Sequence, residues 1–193
     1  MKQLLLVLTA FMVMLSAKPL TTLQHAEIYN EQNVSGWVMS EKLDGIRGYW
    51  NGTALYTKSG KRLYPPDKFT ENFPSFALDG ELWSTRQDFE HIQSTVLKHD
   101  GNWQGISYNI FEVPAAKGNF FERLETAKQW FQAHPNPSVR IIRQYPCQNA
   151  QKLEEYLDEV VAEGGEGVIV KNPHLDYVAG RTSTILKVKK ADF

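Results

Sequence analysis

From Val34 onward the chain is cut into short apolar runs separated by turn-forming residues. These are Val34 to Val38, Gly48 to Trp50, Leu55 to Thr57, Phe76 to Trp83, Ile106 to Phe111, Val139 to Ile142, Gly167 to Val170 and Ile185 to Val188. Runs of this length suit strands better than helices. Asn51-Gly52 lies between two of them and predicts a hairpin, because both residues tolerate positive φ. Helical spacing is found in only a few places. Phe121 to Ala133 has a mixed apolar stripe, and His91 to Leu97 reads as a shorter helix. After Asn149, a good N-cap residue, Leu153, Leu157, Val160 and Val161 recur at i, i+4, i+7 and i+8, and Gly164-Gly165 ends the run. Leu20 to Asn33 is mixed and polar, a lead-in with room for a short helix. The predicted class is therefore α+β, antiparallel sheets with helices packed outside. With 193 residues, 42% hydrophobic, the chain supplies one ordinary core and hardly two.

The N-terminus obeys a different rule. Lys2 gives a positive start, Leu4 to Leu15 is apolar apart from Thr9, and Ser16-Ala17 precede Lys18. That order predicts a secretory signal peptide over residues 1–17, followed by a lead-in over 18–33 and one folded domain over 34–193. A buried N-terminal segment or an uncleaved anchor is the rival reading, but the apolar run is short for a bilayer span. Cys147 is the only cysteine, so an internal disulfide and a cysteine-based zinc site are both excluded. It follows Pro146 in a stretch that reads as a loop. The net charge of -1 offers no general attraction to nucleic acid, so any such face must be a local patch.

The chemistry is concentrated in Glu41-Lys42-Leu43-Asp44-Gly45-Ile46-Arg47, where a lysine, a carboxylate and an arginine surround a glycine-permitted bend. Four companions follow in order. Leu78-Asp79-Gly80-Glu81-Leu82-Trp83 puts an acidic residue at the end of an apolar strand, and Tyr108-Asn109-Ile110-Phe111-Glu112 puts an aromatic in another. Glu166-Gly167-Val168-Ile169-Val170-Lys171 opens a strand with an acid, and Ile185-Leu186-Lys187-Val188-Lys189 sets two lysines on one side of a strand.

Together these segments, from about Ser40 to Lys189, resemble the nucleotidyltransferase superfamily of ATP-dependent DNA ligases, RNA ligases and mRNA capping enzymes. Asp44-Gly45-Ile46-Arg47-Gly48-Tyr49-Trp50, Asp79-Gly80-Glu81-Leu82-Trp83 and the export signal resemble most the small periplasmic bacterial ATP-dependent DNA ligases. The resemblance implies an ATP-grasp-like nucleotidyltransferase domain and a periplasmic location. It implies ATP as the nucleotide, with AMP as a covalent intermediate on Lys42, Mg²⁺ as the metal, and nicked double-stranded DNA as the partner of a monomer without stable membrane association. By the same resemblance, Glu41, Arg47, Glu81, Phe111, Lys187 and Lys189 bind the nucleotide, Arg47 and Glu81 at the ribose and Phe111 stacked on adenine. Lys187 and Lys189 hold the α-phosphate and disfavour the charged form of the nucleophile, while Glu166 and Asp44 help hold a hydrated Mg²⁺.

Two departures stand out. Thr57-Lys58-Ser59-Gly60 carries Lys58 where these ligases usually have a DNA-contacting arginine, which keeps the charge but loses the bidentate fork. Family ligases also continue into an OB domain, and the sequence ends at Phe193 where that domain would begin, so it is expected to be absent here. The alternatives are an RNA ligase or capping-type nucleotidyltransferase, or a DNA nick-binding module without turnover.

Overall fold

The computed structural model describes residues 23–192. The predicted signal peptide lies outside the described residues. Among the described residues, ten strands form two five-stranded sheets, with three helices packed outside them.

In the first sheet the strands are β1 (Gln24–Ile28), β2 (Trp37–Lys42), β8 (Tyr145–Cys147), β9 (Gly167–Lys171) and β10 (Gly180–Val188), in the order β1-β10-β9-β2-β8. The second contains β3 (Ile46–Trp50), β4 (Leu55–Thr57), β5 (Leu78–Trp83), β6 (Ser107–Glu112) and β7 (Val139–Ile141), in the order β4-β3-β5-β6-β7. Neither sheet is purely antiparallel as predicted. β1 runs parallel to β10, and β7 parallel to β6. A parallel neighbour needs a crossover, and the chain supplies one between β6 and β7 as α2 (Phe120–Ala133).

Each sheet turns one face to an apolar core, side chains two apart sharing a face. Met39, Val168, Val170, Leu186 and Val188 turn to one side of the first sheet and pack beneath Leu153, Leu157 and Val160 of α3 (Ala150–Ala162). Burying each leucine contributes roughly 1.5–3 kcal/mol. In the second sheet Trp50, Leu55, Leu78, Leu82, Tyr108 and Ile110 pack with Ile92 and Val96 of α1 (Phe89–Val96) and Ala127 of α2. The opposite faces meet across a cleft, which is why polar residues alternate with these core positions.

Local signals account for the element ends. Asn51 Oδ1 accepts from the N–H groups of Thr53 and Ala54, both at 2.9 Å, and Gly52 takes φ +100°. The hairpin thus forms where Asn51-Gly52 predicts it, with a four-residue loop between Trp50 and Leu55. Asn149 caps α3 through the Lys152 N–H at 2.9 Å, and Asn119 with Glu122 forms a capping box on α2.

Two segments depart from expectation. Gln24–Ile28, read as a lead-in with a short helix, is a strand hydrogen-bonded to β10. The domain therefore takes in residues before Val34. Tyr145–Cys147, read as a loop, pairs with β2, and Cys147 is buried in the core under α3.

Candidate active site

A cavity of about 350 Å³ opens between the two sheets, within the range usual for small-molecule sites. Its wall on the first sheet follows from strand register. Lys42 pairs with Gly167, Ser40 with Ile169 and Val38 with Lys171, while Lys187 pairs with Ile169 from the other side. Ser40, Lys42, Ile169, Lys171, Ile185 and Lys187 accordingly line the cavity. The second sheet contributes Arg47, Asp79, Glu81, Phe111 and Glu112.

Lys42 ends β2, and its amine donates to Glu166 Oε2 at 2.5 Å. Lys189, just beyond the end of β10, reaches the other oxygen of the same carboxylate at 2.7 Å. Burial alone raises the pKa of Glu166, but the bonds to Lys189 and Lys42 outweigh it and hold the group below its ordinary value. One carboxylate thus collects two of the lysines singled out in the sequence, and Lys187 lines the same cavity.

Arg47 is fixed by a fork-to-fork pair with Asp79, at 2.9 and 2.5 Å, and by a bond to the Gln24 carbonyl at 2.8 Å. Its guanidinium carbon lies 5.4 Å from the centre of the Phe111 ring. Phe111 is partly exposed in the cavity and takes no part in the core clusters. Glu81 accepts from the Gly45 N–H at 3.2 Å. Burial pushes the Glu81 carboxyl up to about 8, against the pull of Lys42 and Arg47, so near neutral pH it is largely protonated. Gly45 is required by space: a Cβ there would come 2.2 Å from the Leu82 carbonyl oxygen.

Two residues singled out in the sequence stand apart. Glu41 borders the cavity, but both carboxylate oxygens are taken by Arg86, at 2.8 and 2.9 Å. It grips another part of the protein instead of presenting its charge to a ligand. Asp44 is exposed in the turn between β2 and β3 and is not among the residues lining the cavity. The structure does not bring it together with Glu166. No group of three or more His, Cys, Asp or Glu side chains able to hold a metal occurs among the described residues. Lys58 is exposed beside the cavity, near His25. Burial, and then the nearby charges of Lys58, Arg47 and Arg181, lower the His25 pKa.

The cavity floor holds a charge cluster that the sequence reading missed. Glu112 takes Arg123 at 2.7 and 3.0 Å and also pairs with Lys171, all three being almost wholly buried. Burial raises the Glu112 pKa, yet the two cations more than offset it and the net shift is downward. Lys171 Nζ also lies 4.3 Å from the Phe120 ring centre. The sequence signal was present in Lys171 at the inward-facing end of an apolar strand, two residues beyond Ile169.

A lysine amine set on a carboxylate, with a second lysine and an aromatic ring in a cleft between two sheets, is the arrangement of a nucleotidyltransferase domain. The comparisons narrow that class. The model of the ATP dependent DNA ligase domain matches residues 14–189, and the chain belongs to that family. A DNA ligase of Haemophilus influenzae is 47% identical over 164 residues, which are 84% of this chain and 61% of that protein. The chain therefore spans about three fifths of that relative's length. A structure from work on Lig E DNA ligases superposes with a TM-score of 0.82 at 35% identity, covering 87% of this chain and 68% of the other. A Chlorella virus DNA ligase-adenylate shares the fold, with a TM-score of 0.71 at 22% identity over 89% of this chain and 67% of the other.

Proposed function

We propose that this chain is the catalytic domain of a DNA ligase that takes AMP from ATP onto Lys42 and passes it to the 5′-phosphate of a nick in duplex DNA. The observation that carries the reading is the Lys42 amine, held at 2.5 Å on Glu166 in the wall of a nucleotide-sized cleft. In the first step the lone pair of the neutral Lys42 amine attacks the α-phosphorus of ATP. A P–N bond forms, and the bond to the bridging oxygen breaks with release of pyrophosphate. An oxygen of the 5′-phosphate then attacks the same phosphorus, and the amine leaves. Finally the 3′-hydroxyl, losing its proton, attacks the 5′-phosphate and releases AMP.

The side chains around Lys42 suit these steps. Lys187 lines the cleft where an α-phosphate bonded to Lys42 would sit, and fixed cations offset charge growing in an in-line displacement. Phe111, backed by Arg47, offers a face for the base, and a largely protonated Glu81 can donate to a ribose hydroxyl as well as accept from one. Glu166, whose two oxygens here hold Lys42 and Lys189, is the carboxylate that would hold Mg²⁺, an ion that commonly binds one or two carboxylates together with substrate phosphates. The ion would supply neutralisation of phosphate charge. The positive mouth with Lys58 and Arg181 suits a DNA backbone. Export to the periplasm is part of the same proposal and rests on the basic-apolar-small order of residues 1–17.

The test is a sealing assay on nicked duplex DNA with ATP and Mg²⁺, run beside Lys42→Arg. Joined product from the unsubstituted chain and none from the variant is expected. Equal joining by both removes Lys42 from the reaction.

A further inference from the structure

Arg86 follows β5 in the turn leading to α1, and it touches neither the cavity nor any group that the proposed chemistry uses directly. Its guanidinium is nevertheless fully committed. Nε and Nη2 donate to the two oxygens of Glu41 at 2.8 and 2.9 Å. Nη1 donates to Glu163 Oε2 at 2.7 Å and approaches the Glu163 carbonyl at 3.4 Å. Glu41 is the residue before Lys42, and Glu163 closes α3 three residues before Glu166. Arg86 therefore ties together the two backbone segments whose side chains meet as Lys42 and Glu166.

The intervening loop is laid against the same turn. Gly164, at φ +87°, lies so close to Gln87 that a Cβ would come 2.8 Å from its Nε2. A Cβ on Gly165 would come 3.0 Å from Glu41 Oε1. Gln87 itself adopts φ +59°. A merely stabilising surface pair is the competing explanation, but it fits poorly. The Glu163 side chain is 67% exposed, so that half of the linkage contributes little to stability, whereas the half on Glu41 is more buried, with that side chain 21% exposed. A planar fork spent on the neighbour of the reacting lysine acts instead on geometry, to which in-line displacement is acutely sensitive.

We propose that Arg86 is a positioning residue for AMP transfer, holding the Lys42 amine and the Glu166 carboxylate in register through Glu41 and Glu163. This rests on the assignment of Lys42 as the AMP acceptor. The role predicts a loss in rate at saturating ATP, with little change in the ATP concentration giving half the maximal rate.

The experiment measures AMP incorporation into the unsubstituted chain, Arg86→Gln, Arg86→Lys, Glu41→Gln and the Arg86→Gln/Glu41→Gln double variant across ATP concentrations. Thermal unfolding is followed in parallel. Arg86→Gln should slow the saturated rate by about tenfold or more with half-saturation kept within about twofold. Arg86→Lys should recover part of the loss, since it keeps charge without the fork. Glu41→Gln should match Arg86→Gln, and the double variant should be no slower than either, because both break one linkage. If Arg86→Gln does not fold, Glu41→Gln alone must carry the rate-specific loss. Saturated rates within about twofold for both single variants, additive losses, or a defect confined to half-saturation overturn the proposal. Absence of AMP on the unsubstituted chain overturns the Lys42 assignment and this inference together, whereas normal labelling of both variants overturns this inference alone.

Discussion

Lys42 and Glu166, 124 residues apart in the chain, meet with the amine nitrogen 2.5 Å from a carboxylate oxygen. Before the amine can act as a nucleophile it must lose its proton, and a carboxylate alone favours the charged form. Lys189 reaches the other oxygen of the same carboxylate at 2.7 Å. One carboxylate thus fixes the two amines relative to each other.

Replacing Phe111 by leucine should weaken nucleotide binding more than it affects folding. The ring is outside both large cores and lies under the Arg47 guanidinium, 5.4 Å from its centre. Loss of an aromatic face costs about 0.5–1.5 kcal/mol, or roughly two- to thirteenfold in the dissociation constant for ATP. Calorimetric titration with ATP measures this directly. An unchanged constant would return Phe111 to a packing role.

Glu112→Leu should destabilise the fold by about 3–5 kcal/mol in urea unfolding, because it strands Arg123 and Lys171 as buried charges. The sign with pH is also fixed. The folded pKa of Glu112 lies below its unfolded value, so its stabilisation is present above that unfolded value and is lost as pH falls through the folded one. The gap between the unsubstituted chain and Glu112→Leu should therefore narrow in acid. A gap that stays constant into acid would show that the carboxylate charge is not what Arg123 and Lys171 require.

Glu81 has the opposite sign. Its folded pKa of about 8 stands above the ordinary 4.5. The folded state then holds more protons between these values, so this group's stabilisation is complete below about 4.5 and is lost as pH rises through about 8. Glu81→Gln lacks that titration. Unfolding free energies of the two proteins from pH 5 to 9 should move steadily in favour of the glutamine variant. Parallel profiles would mean that Glu81 is ionised throughout.

What the sequence displayed was local. Asn51-Gly52 and Asn149 announce their turn and cap because the signal and the structure involve neighbouring residues. Lys42, Glu166 and Lys187 were legible as separate motifs, and strand register then carried them to one cleft. Gln24–Ile28 was not legible as a strand, since its pairing partner begins at Gly180 and its own apolar content is weak. Arg86 and Arg123 fall outside every motif legible in the sequence. Their partners, Glu41 and Glu112, come from other parts of the chain, and nothing within a short window marks an ion pair of that kind. Asp44, despite its place in the motif, is exposed in the turn that Gly45 makes possible.

The most direct measurement is mass spectrometry of the chain after prolonged incubation with ATP and Mg²⁺, with peptide mapping of any adduct. The expected result is one AMP on Lys42, released by acid as a phosphoramidate should be, and absent from Lys42→Arg, which cannot supply a neutral amine at any useful pH. No adduct on the unsubstituted chain, an adduct on another residue, or equal labelling of Lys42→Arg would contradict Lys42 as the residue that carries AMP.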